Sequence, residues 1–171
     1  MSGQLPVFVL DANVFIQAHR RYYAFNICPG FWNCLLYYQK ANRVLSIDRV
    51  RAEIVTGQKD TLEKWVKDST SNEFFVSTKN SEIVTRFGEM MQWVQESSHY
   101  LNTAKKEFAH VADGWLVAYA SNNSYTVVTE EEYNRDQKNR VPIPNLCEIF
   151  NVKYTNTFGM LANLGVKLTW N

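Results

Sequence analysis

Short apolar runs, rich in β-branched and aromatic residues, alternate along the chain with longer segments that have the hydrophobic spacing of helices. Each apolar run is bounded by polar or turn residues, which predicts a short buried strand. The predicted strands are Pro6–Leu10, Glu73–Val76, Tyr125–Thr129 and Val152–Tyr154. Leu45–Ile47 fits either a further short strand or the turn that leads into the next helix.

The segments between these runs have helical character. In Ser81–Glu96, for example, apolar residues recur every three or four positions, which places them on one buried helix face. The other predicted helices are Val14–His19, Phe31–Ala41, Asp48–Thr56 with Asp48 as its N-cap, Thr61–Lys67, Thr103–Ala109, Gly114–Ala120, Asn145–Phe150 and Thr157–Leu164. Tyr133–Val141 is polar and is predicted to be a solvated loop. Strands that alternate with helices predict an α/β fold with a mostly parallel sheet of four or five strands.

Composition narrows the class of protein. The 171 residues suit a single domain, 1–171, and the 46% apolar and 20% charged fractions are ordinary for a globular chain. A net charge of +1 argues against a constitutive polyanion binder and leaves any nucleic-acid contact to local basic clusters. Three cysteines without a CxxC pair predict reduced thiols. With no signal peptide or membrane span in the sequence, we expect a cytoplasmic protein.

Acidic residues follow two of the predicted strands directly. Asp11 comes after Pro6–Leu10, and Glu130, Glu131 and Glu132 come after Tyr125–Thr129. The carboxyl ends of parallel strands meet at one edge of a sheet, and ligands bind in the crevice outside that edge. These acids are therefore candidate site residues. The alternative for Asp11, or for Asn13, is that it caps the following helix.

Two further acids have both a structural and a functional interpretation. Glu53 lies within a predicted helix, where it either serves a site or forms a surface ion pair with Arg49 four residues earlier. Asp113 opens the apolar helix Gly114–Ala120 and is either a helix cap or a site residue. If the acids converge, each pair about 5 Å apart repels by roughly 3 kcal/mol at an effective dielectric constant near 20. A divalent cation cancels that repulsion, and carboxylates without imidazole or thiolate favour Mg²⁺ or Mn²⁺.

Four motifs of this chain resemble, in order, the acidic motifs of PIN-domain ribonucleases, close to the VapC-type toxins of bacterial toxin–antitoxin modules. They are LDANVF, the helix acid Glu53, ADGWLVAYA, and VVT followed by an acid. The resemblance implies a three-layer α/β/α fold and hydrolysis of single-stranded RNA by metal-activated water. It also implies an antitoxin partner that blocks the site and, often, a homodimer.

The resemblance assigns roles residue by residue. Asp11 and Asp113 would be direct ligands of Mg²⁺ or Mn²⁺, Glu53 the second acid, and Glu131 the fourth, which holds a second ion or its waters. Glu130 is the alternative to Glu131, because the acids are consecutive. Asn13 would orient the first acid or the substrate. One departure is Gly114, where near relatives tend to have proline.

The basic and aromatic segment after the first helix is the expected contact for substrate. Arg20 and Arg21 would bind phosphates, and Tyr22 or Tyr23 would stack on an unpaired base. The alternative is that these tyrosines only pack against the core.

Two other functions compete with a ribonuclease. An aspartyl-phosphate phosphatase needs a second Asp two residues after its nucleophile, and that position is Asn13, whose amide cannot act as a general acid. A non-catalytic PIN-like binding or scaffold module predicts missing acids, whereas all four motif positions are filled.

Overall fold

The computed structural model describes residues 5–169 and contains a five-stranded sheet in which every pair of neighbouring strands is parallel. The strands are β1 (Phe8–Leu10), β2 (Val44–Ile47), β3 (Phe75–Val76), β4 (Thr126–Val128) and β5 (Tyr154–Thr155). The predicted α/β class is therefore confirmed, and Leu45–Ile47 belongs to a strand rather than to a turn.

All four predicted strands are shorter than predicted, and at β3 and β5 the start is displaced by local hydrogen bonds. Before β3, the N–H of Phe74 donates to Ser71 O at 3.0 Å, so the chain is still turning at Glu73 and Phe74. Before β5, the N–H of Val152 donates to Cys147 O, which ends the preceding helix. A backbone N–H that bonds within a turn or a helix end is not available to a neighbouring strand, and only two residues remain in each strand.

Nine α-helices lie within residues 5–169. They are α1 (Ala12–Gln17), α2 (Pro29–Lys40), α3 (Asp48–Thr56), α4 (Thr61–Ser69), α5 (Ser81–Glu96), α6 (Asn102–Phe108), α7 (Asp113–Asn123), α8 (Ile143–Phe150) and α9 (Thr157–Asn163). A π-helical turn, Ala18–Tyr22, continues α1 and replaces the end of the predicted helix Val14–His19. Pro29 stands inside the first turn of α2, where its missing N–H leaves no intrahelical bond unmade.

Asp48 does not cap α3 as predicted. It is the first residue of that helix, and Ile47 occupies the N-cap position. The carboxylate of Asp48 instead accepts hydrogen bonds from the N–H of Thr78 at 3.2 Å and from its hydroxyl at 2.9 Å. Asp48 therefore ties α3 to the segment that follows β3.

The strand order β3-β2-β1-β4-β5 gives the molecule three layers. The chain moves outward from β1 through β2 to β3, and then crosses to β4 and β5 on the other side of β1. Right-handed crossovers in opposite directions place their helices on opposite faces of the sheet. Accordingly, α1, α3 and α4 pack together in one layer, and α5, α7 and α8 pack together in the other. The strand order reverses between β1 and β4, where open α/β sheets bind their ligands.

The interior is apolar, and β1 is buried along its whole length. Cys147 is buried, Cys28 and Cys34 are partly buried, and all three are free thiols. No helix among residues 5–169 is both long and apolar enough to cross a bilayer.

Candidate functional site

Asp11 lies directly beyond β1, at the point where the strand order reverses. Its N–H donates to Val128 O at 3.0 Å, which holds it beside the end of β4. Its carboxylate is buried and accepts a hydrogen bond from the hydroxyl of Thr129 at 3.2 Å. Although Asp11 occupies the N-cap position of α1, its side chain makes no capping hydrogen bond. The side chain thus bonds to Thr129, which follows β4, and does not cap α1.

Asp113 is the first residue of α7 and reaches the same edge of the sheet from the second helical layer. Its side chain is 19% exposed, and one carboxylate oxygen lies 3.9 Å from Nη2 of Arg140. The glycine that follows it is required by packing. A Cβ on Gly114 would lie 2.5 Å from Phe108 and 2.8 Å from Phe87, so the start of α7 has no room for a larger residue or for proline.

Glu131 and Glu130 are adjacent, but their side chains have different partners. The N–H of Glu131 donates to the hydroxyl of Thr129 at 3.2 Å, and its carboxylate binds Arg140 and accepts from the N–H of Ile143 at 2.9 Å. Glu130 instead accepts from the N–H of Thr157 at 3.0 Å and from its hydroxyl, at the start of α9. Only Glu131 is therefore directed toward Asp11 and Asp113, and Glu132 is exposed.

Glu53 connects α3 to the start of α7. Its carboxylate accepts a hydrogen bond from the N–H of Ala112 at 2.9 Å, one residue before Asp113. The surface ion pair with Arg49 does not form, because the Arg49 guanidinium lies over the Trp115 ring at 3.8 Å and also donates to Thr78. The side chain of Glu53 is thus held at the acidic edge although the residue itself is exposed.

The four carboxylates are close enough to influence one another electrostatically. Burial, followed by the charge of Glu131, raises the pKa of Asp11 to about 7, while the Thr129 hydroxyl acts in the opposite direction. Burial, followed by the charges of Asp11, Glu131 and Glu53, raises the pKa of Asp113 to about 8, and Arg140 opposes this shift. These acids therefore repel one another more strongly than the single arginine compensates.

The donor set fits a hard divalent cation chemically, since it consists of carboxylate oxygens whose mutual repulsion such an ion would relieve. Across residues 5–169, however, no three Asp, Glu, His or Cys side chains are gathered closely enough to bind one ion as they stand. Glu53 and Glu131 are each engaged by a backbone N–H at the start of a helix. Binding all four acids to one centre would therefore require side chains to move.

The residues predicted to contact substrate all follow Asp11 on α1 and the π-helical turn. Asn13 is partly buried in the first turn of α1, and Arg20 and Arg21 are exposed, with Arg20 donating to Gln58 at 3.1 Å. Tyr22 is 61% exposed. Its ring packs edge-on against that of Phe158, which is also exposed, with 5.9 Å between the ring centroids.

Tyr23 differs from its neighbour. Its ring stacks on Phe31 with 4.4 Å between centroids, which makes it a packing residue. Of the two tyrosines considered for base stacking, only Tyr22 has an exposed ring.

Sequence patterning does not single out Thr129 or Arg140. Thr129 ends an apolar run and looks like the last residue of a strand, yet its hydroxyl joins Asp11 to Glu131. Arg140 lies in the predicted solvated loop Tyr133–Val141 and is indistinguishable there from Arg135 or Lys138. The only signal that favours Thr129 is its position between a buried strand and three acids.

Comparison with known proteins identifies one family that the chain matches. No curated protein matches the chain. The profile of one protein family, described as "Domain of unknown function (DUF4411)", matches residues 8–168, a span that includes all four acids and Arg140. The chain therefore belongs to the DUF4411 family.

Proposed function

We propose that this protein is a Mg²⁺- or Mn²⁺-dependent endoribonuclease that hydrolyses single-stranded RNA. The observation that carries the proposal is that four acids from separate chain segments interact electrostatically at the switch point of a parallel sheet. Two of them, Asp11 and Asp113, are carboxyl groups whose pKa values are raised by burial and by the neighbouring acids. Perturbed carboxyl groups grouped in this way are typical of functional sites.

In this proposal Asp11 and Asp113 hold the ion directly, Glu53 is the second acid of the site, and Glu131 holds a second ion or its waters. A bound divalent cation supplies charge stabilisation for the phosphate during hydrolysis. The chain's own contribution is orientation. The Thr129 hydroxyl fixes the carboxylate of Asp11, so this acid is already oriented when the ion arrives.

RNA is the substrate class that the surrounding surface favours. Arg20 and Arg21 offer exposed positive charge to phosphates on the turn that leads away from Asp11. Tyr22, supported by Phe158, offers an exposed ring on which an unpaired base can stack. Asn13, in the first turn of α1, would orient the first acid or the substrate.

The resemblance to VapC-type toxins extends the proposal to a biological role. In that role the protein is the toxin of a toxin–antitoxin pair, acts in the cytoplasm as a monomer or homodimer, and is inhibited by an antitoxin that covers the acidic edge.

The test is cleavage of a labelled single-stranded RNA by purified protein with Mn²⁺. Asp11→Asn removes a ligand charge and is expected to lower the rate roughly a hundredfold or more. It should leave the fold intact, because the amide has the same shape and relieves repulsion in the absence of the ion.

A matched pair of variants provides the internal control. Glu131→Gln should lower the rate, whereas Glu130→Gln, one residue away with its carboxylate on Thr157, should leave the rate close to wild type. Asp11→Asn protein that cleaves as fast as wild type would refute the site. Wild-type protein that neither binds Mn²⁺ nor cleaves RNA would favour the binding or scaffold module instead.

A further inference from the structure

Arg140 is the cation that contacts the acidic site within the described part of the chain. Its guanidinium forms an ion pair with Oε1 of Glu131, and its Nη2 lies 3.9 Å from Oδ2 of Asp113. The residue comes from the segment between β4 and α8, and its side chain remains 44% exposed. Arg140 therefore reaches back from a solvated segment to two of the four acids.

The two carboxylates that Arg140 contacts are ones to which the proposed function gives a metal-binding role. One positive charge spread over a planar guanidinium compensates only part of the charge of four acids. In addition, the N–H of Ile143 engages Oε2 of Glu131 at 2.9 Å. Both Glu131 oxygens already have a partner, and a cation that binds here must either lie beside the positive guanidinium of Arg140 or displace it.

The position of Arg140 makes its release inexpensive. Although Val141 beside it is buried, the side chain of Arg140 itself is 44% exposed, so its guanidinium can leave the acids without opening the core. Once released, a guanidinium has a better partner at this site than water, because it binds phosphate oxygens through two parallel hydrogen bonds. The scissile phosphate of the proposed substrate would lie next to the ion.

We propose that Arg140 competes with the divalent cation for Glu131 and Asp113, and that it binds the substrate phosphate after the cation displaces it. This inference rests on the proposed function. Arg140 then has opposite effects on two affinities. It weakens cation binding in the free protein and strengthens RNA binding in the cation-loaded protein. A merely structural role would weaken both kinds of binding when the arginine is removed.

Calorimetric titration of EDTA-treated, dialysed protein with MnCl₂ tests the first role. Arg140→Gln should bind Mn²⁺ about tenfold more tightly than wild type, because the ion no longer has to displace a competitor. Arg135→Gln, which removes an exposed arginine from the same segment, should bind as wild type does. An unchanged or weaker affinity in Arg140→Gln overturns the competition.

Steady-state cleavage tests the second role. At saturating Mn²⁺, Arg140→Gln should raise KM for a single-stranded RNA about fivefold, because a phosphate contact is lost. An unchanged KM overturns the phosphate contact. If the wild type and Arg140→Gln bind Mn²⁺ equally and Asp113→Asn abolishes binding, the competition fails and the proposed metal site stands. If neither protein binds Mn²⁺ at millimolar concentration, the proposed function fails as well.

A measurement on the wild type decides the competition if Arg140→Gln does not fold. The side-chain N–H signal of Arg140 in ¹⁵N-arginine-labelled protein can be assigned by its absence in Arg140→Lys. That signal should shift on saturation with Mg²⁺, and a signal that stays in place overturns the displacement.

Discussion

The two edges of the parallel sheet differ in shape and in charge. At the amino ends of the strands lies an open cleft of about 810 Å³, lined by residues such as Val7, Tyr125 and Lys153. At the carboxyl ends, where Asp11 and Asp113 lie, the cavity beside Asp113 and Arg140 measures only about 20 Å³. The larger cavity and the buried carboxylates are therefore at opposite edges of the sheet.

We place the chemistry at the edge with the buried charge. Charged residues at the cleft, such as Glu148 and Lys153, are exposed and keep their hydration, and Glu148 accepts a hydrogen bond from the Tyr154 hydroxyl at 3.1 Å. At the carboxyl edge, burial and mutual repulsion raise the pKa values of Asp11 and Asp113. A charge that destabilises the fold is a stronger indicator of function than an empty volume.

The largest expected difference between the edges is in catalysis. Asp113→Asn should lower Mn²⁺-dependent RNA cleavage roughly a hundredfold or more, because it removes a ligand charge. Glu148→Gln, the matched change at the cleft, should leave cleavage unchanged within about twofold, since surface substitutions of this kind have small effects. A gel-based assay measures the cleavage rates of both variants. A large loss of rate in Glu148→Gln would place the active site at the cleft instead.

The second prediction concerns the pH dependence of stability in EDTA. Asp11 and Asp113 have higher pKa values in the folded protein than the usual value of 3.8, so the folded state binds their protons more tightly. Their contribution to stability is therefore greatest below pH 4 and is lost as pH rises through about 7 to 8. The free energy of unfolding should fall by ~2 kcal/mol or more between about pH 5 and pH 8.5.

Urea unfolding followed by tryptophan fluorescence measures this dependence. The double variant Asp11→Asn/Asp113→Asn should have a much flatter profile, whereas Glu148→Gln at the cleft should keep the slope of the wild type. Equal slopes in the wild type and the double variant would show that the two carboxyl groups are not strained by burial.

The third prediction tests the packing that positions Asp113. Gly114→Ala should lower the free energy of unfolding by about 1–3 kcal/mol, because the added methyl group meets the rings of Phe108 and Phe87. Gly88→Ala, in α5, has no atom within 4 Å of the new Cβ and should be neutral or stabilise by up to ~1 kcal/mol. Thermal unfolding distinguishes them, and similar melting temperatures would mean that α7 adjusts freely.

The smallest expected effect is on RNA affinity. Tyr22→Leu should weaken binding of a single-stranded oligonucleotide about fivefold in EDTA, since one base–aromatic stack is worth ~1 kcal/mol or somewhat more. Tyr37→Leu removes a similarly exposed tyrosine from α2 and serves as the control. Fluorescence anisotropy with a labelled RNA gives both values, and equal affinities would remove Tyr22 from the substrate path.

The elements of the fold were largely predictable, but the ends of the strands were not. The apolar runs of β1 and β4 predicted buried strands, and the predicted helix Ser81–Glu96 has the same bounds as α5. The start of β5 was misplaced because the N–H of Val152 bonds back to Cys147. Local hydrogen bonds of this kind depend on backbone geometry that hydrophobic spacing does not specify.

The residues of the acidic site were likewise predictable only in part. The sequence alone determined which acids follow buried strands or open apolar helices, since strand ends and helix starts are local features. Only the tertiary structure separated Glu131 from Glu130, because neighbouring side chains of extended chain point in opposite directions and their register depends on β1 and α9. Only the tertiary structure brought Arg140 to Glu131 and Asp113 and placed Thr129 against Asp11, 118 positions away. Contacts between segments so far apart arise from the packing of the whole sheet.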